Sequence, residues 1–129
     1  TSKGKYVAPA PIENKLATHS AIEACCVAGS GYPQPFALLM LNADIAKACA
    51  SDAGQKAELA ASLTAHLDAV NAQLDDHEQL DFFVVVQEQW TVENQFITPT
   101  MKVKRPMIEG SYAKHFDSWA KARSSVVWA

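Results

Sequence analysis

A chain of 129 residues, 49% hydrophobic and 19% charged, is long enough for one domain with its own core and too apolar to stay disordered. Its net charge of −3 is uneven: residues 11–99 carry −9, residues 1–10 carry +2 and residues 100–129 carry +4. Basic ends on an acidic body argue against a duplex-wide nucleic-acid surface, and fit a local anion site or a plain solvated charge pattern.

In chain order, Lys5-Tyr6-Val7 reads as a short strand after a turn at Gly4, closed by Pro9 and Pro11. Pro11 suits the first turn of a helix, which Ile12, Leu16 and Ala17 continue to about Thr18. Ile22–Ala28 and Phe36–Leu41 read as two strands of an antiparallel hairpin. Gly29-Ser30-Gly31 and the donor-poor Tyr32-Pro33-Gln34-Pro35 form its stiff loop. Asn42-Ala43-Asp44 caps a short helix to about Ala50, and Ser51–Gly54 breaks it.

Leu59, Leu63, Leu67, Val70 and Leu74 recur at spacings of 4, 4, 3 and 4, which predicts an amphipathic helix from Lys56 to about Asp75. Its stripe is core packing rather than a partner zipper. Asp81–Val86 is a third strand, apolar throughout as in a central position. Gln87–Asn94 is a polar connection. Pro106 opens a last helix carrying Met107, Ile108 and Tyr112, with Phe116 and Trp119 extending its apolar side. No element is assigned after Ala122. The expected fold is α+β: a small, mostly antiparallel three-stranded sheet flanked by helices, plus an N-terminal two-stranded hairpin.

Cys25, Cys26 and Cys49 form no C-x-x-C pair, and adjacent Cys25 and Cys26 point to opposite strand faces. Three unpaired thiols fit a reduced, cytoplasmic protein. No histidine has a second histidine or a cysteine at i+3 or i+4, so no metal site is expected. The apolar run Phe82–Val86 is too short to cross a bilayer. The start lacks a basic segment with an apolar stretch behind it, so no secretory signal is expected. Opening on Thr1 suggests a piece of a longer protein.

The segment Glu93-Asn94-Gln95-Phe96-Ile97-Thr98-Pro99-Thr100-Met101-Lys102-Val103-Lys104-Arg105 is the candidate for chemistry. Two threonine hydroxyls flank a proline, and three cations follow within four residues, ahead of a helix N-terminus. If the backbone is extended, Lys102 and Lys104 share one side and Val103 faces the other. Such a loop presents ammonium groups to a polyphosphate, or simply solvates them. The chain shows no catalytic triad, no phosphate loop and no paired carboxylates, so it lacks a complete active site.

Ser2-Lys3-Gly4-Lys5-Tyr6-Val7-Ala8-Pro9 with Ile12-Glu13 resembles the glycine hairpin and following helix of adenylate-forming enzymes: acyl-CoA synthetases, luciferases and adenylation domains of peptide synthetases. Thr98-Pro99-Thr100-Met101-Lys102-Val103-Lys104-Arg105 resembles their terminal lysine motif, often P-K-T-x-S-G-K-x-x-R. Met101 stands where many members carry the glycine. Long-chain fatty acyl-CoA synthetases often read L-T-P-T-x-K-x-K-R after an E-N pair, and Gly29–Pro35 is similar to that subgroup's hairpin loop.

The resemblance spans Thr1 to about Tyr112. It implies that residues 1–129 are the mobile C-terminal lid of an AMP-dependent ligase whose large N-terminal domain is its partner. The implied reaction activates a long-chain fatty acid with ATP as an acyl-adenylate, then forms the CoA thioester. By position, Lys102 is the lysine of the first step. Thr100, Lys104 and Arg105 belong to its loop, Arg105 either as a ligand contact or as an anchor paired with an acid. Gly4 gives backbone freedom near the thiol channel, and Lys3 and Lys5 attract the CoA phosphates or lie idle. Mg2+ is expected with ATP, held mainly by the large domain. The resemblance implies no nucleic acid and leaves room for peripheral membrane association of the full-length enzyme. The isolated domain is expected to be inactive. The competing expectation, of another class, is a stand-alone, non-catalytic α+β module that binds an anion or oligomerises.

Overall fold

The computed structural model describes residues 5–129. Its elements are α1 (Pro9–Leu16), β1 (Ile22–Ala28), β2 (Phe36–Leu41), α2 (Ala43–Ser51), α3 (Ala53–Asn71), β3 (Phe83–Val85), α4 (Arg105–Tyr112), α5 (Phe116–Lys121) and β4 (Val126–Trp128). Short 3₁₀ turns lie at Asp76–Glu78 and Ala113–His115.

The sheet is four-stranded and mixed, in the order β1-β2-β3-β4. β1 and β2 pair antiparallel as expected, with Cys25 opposite Leu39. β2–β3 and β3–β4 are parallel. The expected three-stranded, mostly antiparallel sheet is therefore corrected twice. The long crossover through α2 and α3 returns the chain parallel to β2. Val126–Trp128 adds a fourth strand too short to declare itself in sequence.

Helices cover both faces, which makes three layers. On one side Cys25, Val27, Leu39, Leu41, Phe83 and Val85 pack with Ile12 and Leu16 of α1 and Leu63, Leu67 and Val70 of α3. On the other, Cys26, Leu38, Met40, Val84 and Val86 pack with Ile108, Tyr112, Phe116 and Trp119. Strands buried on both faces must be apolar at every position, and all six residues of β2 are buried.

The caps explain the helix boundaries. The Asn42 side chain accepts from the Asp44 amide at 3.0 Å. Asp52 ends α2 and caps α3 at once, accepting from the amides of Gly54 and Gln55 at 2.8 and 3.2 Å. The expected four-residue break thus contracts to one residue. Asn71 closes the far end of α3 by bonding both backbone groups of Leu80.

The β1–β2 loop folds back onto α5. Gly29 has φ +102, and a Cβ there would meet the Phe36 ring at 2.8 Å, so only glycine fits. Tyr32 packs edge-on to Phe36 and Phe116, and its hydroxyl donates to Asp117.

The expected strand at Lys5–Val7 is absent, because residues 5–8 pair with no strand among the described residues and Tyr6 is 80% exposed. Lys3 and Gly4, and the first half of the expected N-terminal hairpin, lie outside the described residues.

Candidate functional site

The lysine segment is a small hairpin. Ile97 and Val103 form an antiparallel bridge. The Thr98 amide donates to the Lys102 carbonyl, the Met101 amide to the Thr98 carbonyl and the Lys104 amide to the Phe96 carbonyl, each at 2.8 Å. Thr98-Pro99-Thr100-Met101 is therefore a four-residue turn with proline at its second position, where the fixed φ of proline is pre-set. Met101 then takes the left-handed conformation, φ 68. A turn followed by one left-handed residue is a common three-residue hairpin connection, and it favours glycine at that residue. Backbone geometry thus accounts for the glycine that similar motifs carry where this chain has Met101. Its side chain packs little, being 70% exposed.

The hydroxyls of Thr98 and Thr100 lie 3.0 Å apart, and the Thr98 hydroxyl also accepts from the Lys102 amide at 3.1 Å. Alternation across the bridge sends Val103 into the core beside Ile97, while Lys102 stays exposed and Lys104 half-buried. Neither lysine has an acid partner among the described residues.

Asn94 holds the entry to the hairpin, a role that a polar connection did not announce. Asn94 and Thr91 exchange bonds: the Thr91 amide donates to Asn94 Oδ1 at 2.9 Å, and the Asn94 amide donates to Thr91 Oγ1 at 3.1 Å. Asn94 Nδ2 also donates to the Gln89 carbonyl at 2.8 Å. The asparagine of an E-N pair was the available signal.

Arg105 leaves the other two cations. Its guanidinium takes both oxygens of Glu13, donates to the Val27 carbonyl at 3.2 Å and reaches the Cys26 sulfur at 3.5 Å. Its hydrogen bonds to Glu13 hold it more firmly protonated than an ordinary arginine. Burial pushes the Cys26 thiol up to about 12 despite the neighbouring cation. The N-terminus of α4 offers little to an anion. Pro106 has no N–H, and the amides of Met107 and Ile108 are spent on the Lys104 carbonyl.

A cleft of about 310 Å³ runs beside Arg105, lined among others by Lys5, Tyr6, Gly29 and Glu109. The fold thus brings Lys5 and Arg105 to one cleft and sets Lys102 and Thr100 on the hairpin turn. Burial raises the Glu109 carboxyl above its usual range, with Arg105 opposing. No group of three or more His, Cys, Asp or Glu among the described residues is arranged to hold a metal. No helix among them is long and apolar enough to cross a membrane.

Several known proteins are similar to this chain in sequence or in fold. The chain is 29% identical over 126 residues to the peroxisomal long chain acyl-CoA synthetase 6 of Arabidopsis thaliana, covering 88% of this chain and 18% of that protein. It is 28% identical over 129 residues to a long-chain-fatty-acid–CoA ligase of Mycobacterium tuberculosis, covering 92% of this chain and 22% of that one. Among solved structures, the adenylation domain of a carboxylate reductase from Mycobacterium chelonae superposes with a TM-score of 0.75 at 20% identity, over 92% of this chain and 18% of that one. The A-PCP didomain of a carboxylic acid reductase from Segniliparus rugosus, in complex with AMP, gives 0.70 at 20% identity, over 93% and 17%. The structural likenesses show the fold, and the chain spans about a fifth of the length of the relatives it matches. The profile described as AMP-binding enzyme C-terminal domain matches residues 1–123, and the chain belongs to that family, with long-chain acyl-CoA synthetases among its relatives.

Proposed function

We propose that this chain is the mobile C-terminal domain of an ATP-dependent acyl-CoA ligase acting on long-chain fatty acids. In the first step a carboxylate oxygen attacks the α-phosphorus of ATP and pyrophosphate leaves. In the second the CoA thiol attacks the acyl carbonyl and AMP leaves. The observation that carries the proposal is Lys102: exposed, without an acid partner among the described residues, and mounted on a hairpin closed by its own backbone.

Attacking carboxylate and α-phosphate are both anionic and repel each other. An ammonium placed between them offsets that repulsion and stabilises charge growing on the phosphate oxygens. Lysine suits a visiting role, since its compact charge rides on a flexible stem while the hairpin fixes the base of that stem. Lys104 lies one bridge position further along and is proposed to add to the same field. Thr100 supplies a hydroxyl on the turn. Lys5, in the cleft with Arg105, is proposed to face the CoA phosphates together with Lys3 and Gly4.

The described residues do not fit a metal, so no step is routed through one. Mg2+ is proposed to arrive with ATP on the large domain. That domain, the fatty acid, ATP and CoA are the proposed partners, and the isolated chain is proposed to be inactive. Three buried, unpaired thiols support a reducing compartment, which we take to be the cytoplasm.

The test is ATP–pyrophosphate exchange and thioester formation by the full-length protein carrying this chain, over a series of fatty acids. Exchange and CoA ester formation that rise with long acyl chains are expected. A protein that neither exchanges pyrophosphate nor consumes CoA with any of them contradicts the proposal in favour of a non-catalytic module.

A further inference from the structure

Glu13 and Arg105 are 92 positions apart in sequence and meet at the outer edge of β1. Their pair does more than neutralise charge. Glu13 Oε2 accepts the Val27 amide at 2.7 Å, and Arg105 donates to the Val27 carbonyl at 3.2 Å. Together the two side chains occupy both backbone groups of Val27, as a neighbouring strand would. The contact is largely shielded, with side-chain exposures of 27% for Arg105 and 13% for Glu13.

This clip ties three elements. Glu13 belongs to α1, which Ile12 and Leu16 root in the core. Val27 belongs to β1. Arg105 is the first residue of α4 and follows Lys102 by three positions. The hairpin bearing Lys102 has one foot at Phe96–Ile97, held by Asn94 and the buried Ile97. Its other foot, Lys104–Arg105, is fixed by the Phe96 carbonyl and by the clip.

We infer that Glu13 is a positioning residue for the first step: through Arg105 it fixes the base of the Lys102 hairpin and makes α1, β1 and that hairpin one rigid unit. The inference rests on the role of Lys102 proposed above. A misplacement of about 1 Å in a reacting group costs up to on the order of 10²-fold in rate. A lysine on a loosened hairpin loses rate without losing charge.

The experiment uses the full-length protein and measures two half-reactions separately: acyl-adenylate formation, and thioester formation from supplied acyl-adenylate. Glu13→Gln keeps the shape of the side chain and removes its charge. It is expected to slow adenylation by about 10-fold to 100-fold, with thioester formation changed by less than about 2-fold. Arg105→Lys keeps the charge but loses the two-pronged grip, and is expected to slow adenylation by a smaller factor. The double variant is expected to adenylate no more slowly than Glu13→Gln alone, because both act through one contact.

Equal loss in both half-reactions, alongside a lower melting temperature, would overturn the inference and leave Glu13 as a fold-stabilising residue only. So would unchanged adenylation in Glu13→Gln while Lys102→Ala abolishes it. Unchanged adenylation in Lys102→Ala itself would instead overturn the proposal on which the inference stands.

Discussion

Thr98 and Lys102 are joined twice: the Thr98 amide donates to the Lys102 carbonyl at 2.8 Å, and the Lys102 amide donates to the Thr98 hydroxyl at 3.1 Å. The backbone of Lys102 is thereby fixed while its side chain stays uncommitted. Thr98→Val keeps the shape and the first bond but removes the hydroxyl. A cost of about 1 kcal/mol is expected, the usual net worth of one such bond. It should appear as faster hydrogen exchange at the Lys102 amide, with amides in β2 unchanged. Unaltered exchange at Lys102 would mean that the hydroxyl does not hold the turn.

Met101 takes a left-handed backbone with little packing in return. Met101→Gly should stabilise the chain by about 1 kcal/mol in denaturant titration, because glycine adopts this conformation without steric cost. Met101→Val should do the opposite, since a β-branched residue tolerates positive φ worst. A destabilised glycine variant would show that chain entropy outweighs the strain.

The fold was readable wherever pattern and period agreed. The leucine spacing from Leu59 to Leu74 marked α3, the apolar run at Phe36–Leu41 marked β2, and the strand expected at Asp81–Val86 is observed as Phe83–Val85. Leu74 nonetheless lies beyond the helix, which ends at Asn71, and still packs against the core. Sheet direction was not readable, because a parallel return depends on the crossover rather than on any residue in β3. β4 hid in three residues, and α4 and α5 appeared as one helix because a 3₁₀ turn between them preserves the apolar side. At the candidate site the cluster of cations was visible and an anchoring role for Arg105 was one of two readings, but the acid it pairs with was not visible. Alternation across the Ile97–Val103 bridge turns Lys102 outward, whereas Arg105 turns inward to Glu13, 92 positions earlier, a partner no local pattern names.

His19 offers a test of the packing between α1 and α3. Its Nδ1 accepts the Ala21 amide at 3.0 Å, its Nε2 meets the Ser62 hydroxyl at 2.8 Å, and its ring centre lies 5.1 Å from that of His66. Burial, then His66, lowers its pKa below the ordinary 6.5. A base with a lowered folded-state value favours the neutral folded form. Its contribution is full above about pH 6.5 and is lost as pH falls through the folded value. Proton NMR titration should place His19 below 6.5, and His19→Gln should flatten the loss of stability between about pH 7 and pH 5. A His19 titrating at or above 6.5 would contradict the packing.

Burial pushes the thiols of Cys25 and Cys26 up to about 12 from 9.0. Neutral thiols are therefore favoured in the folded chain. Their contribution is complete below about pH 9 and erodes as pH climbs toward 12. At pH 8 a thiol reagent should leave both unmodified until denaturant is added, because the reactive thiolate is scarce and covered. Rapid labelling of the native chain at either position would contradict their burial.

The ammonium of Lys102 is best tested by replacing it with alanine in the full-length protein and timing the two chemical steps apart. Acyl-adenylate formation should fall by on the order of 10²-fold to 10³-fold, as for the loss of one electrostatic donor, while supplied acyl-adenylate is still converted to the CoA ester at near the unaltered rate. An alanine variant that forms acyl-adenylate as fast as the parent would contradict the role given to this residue.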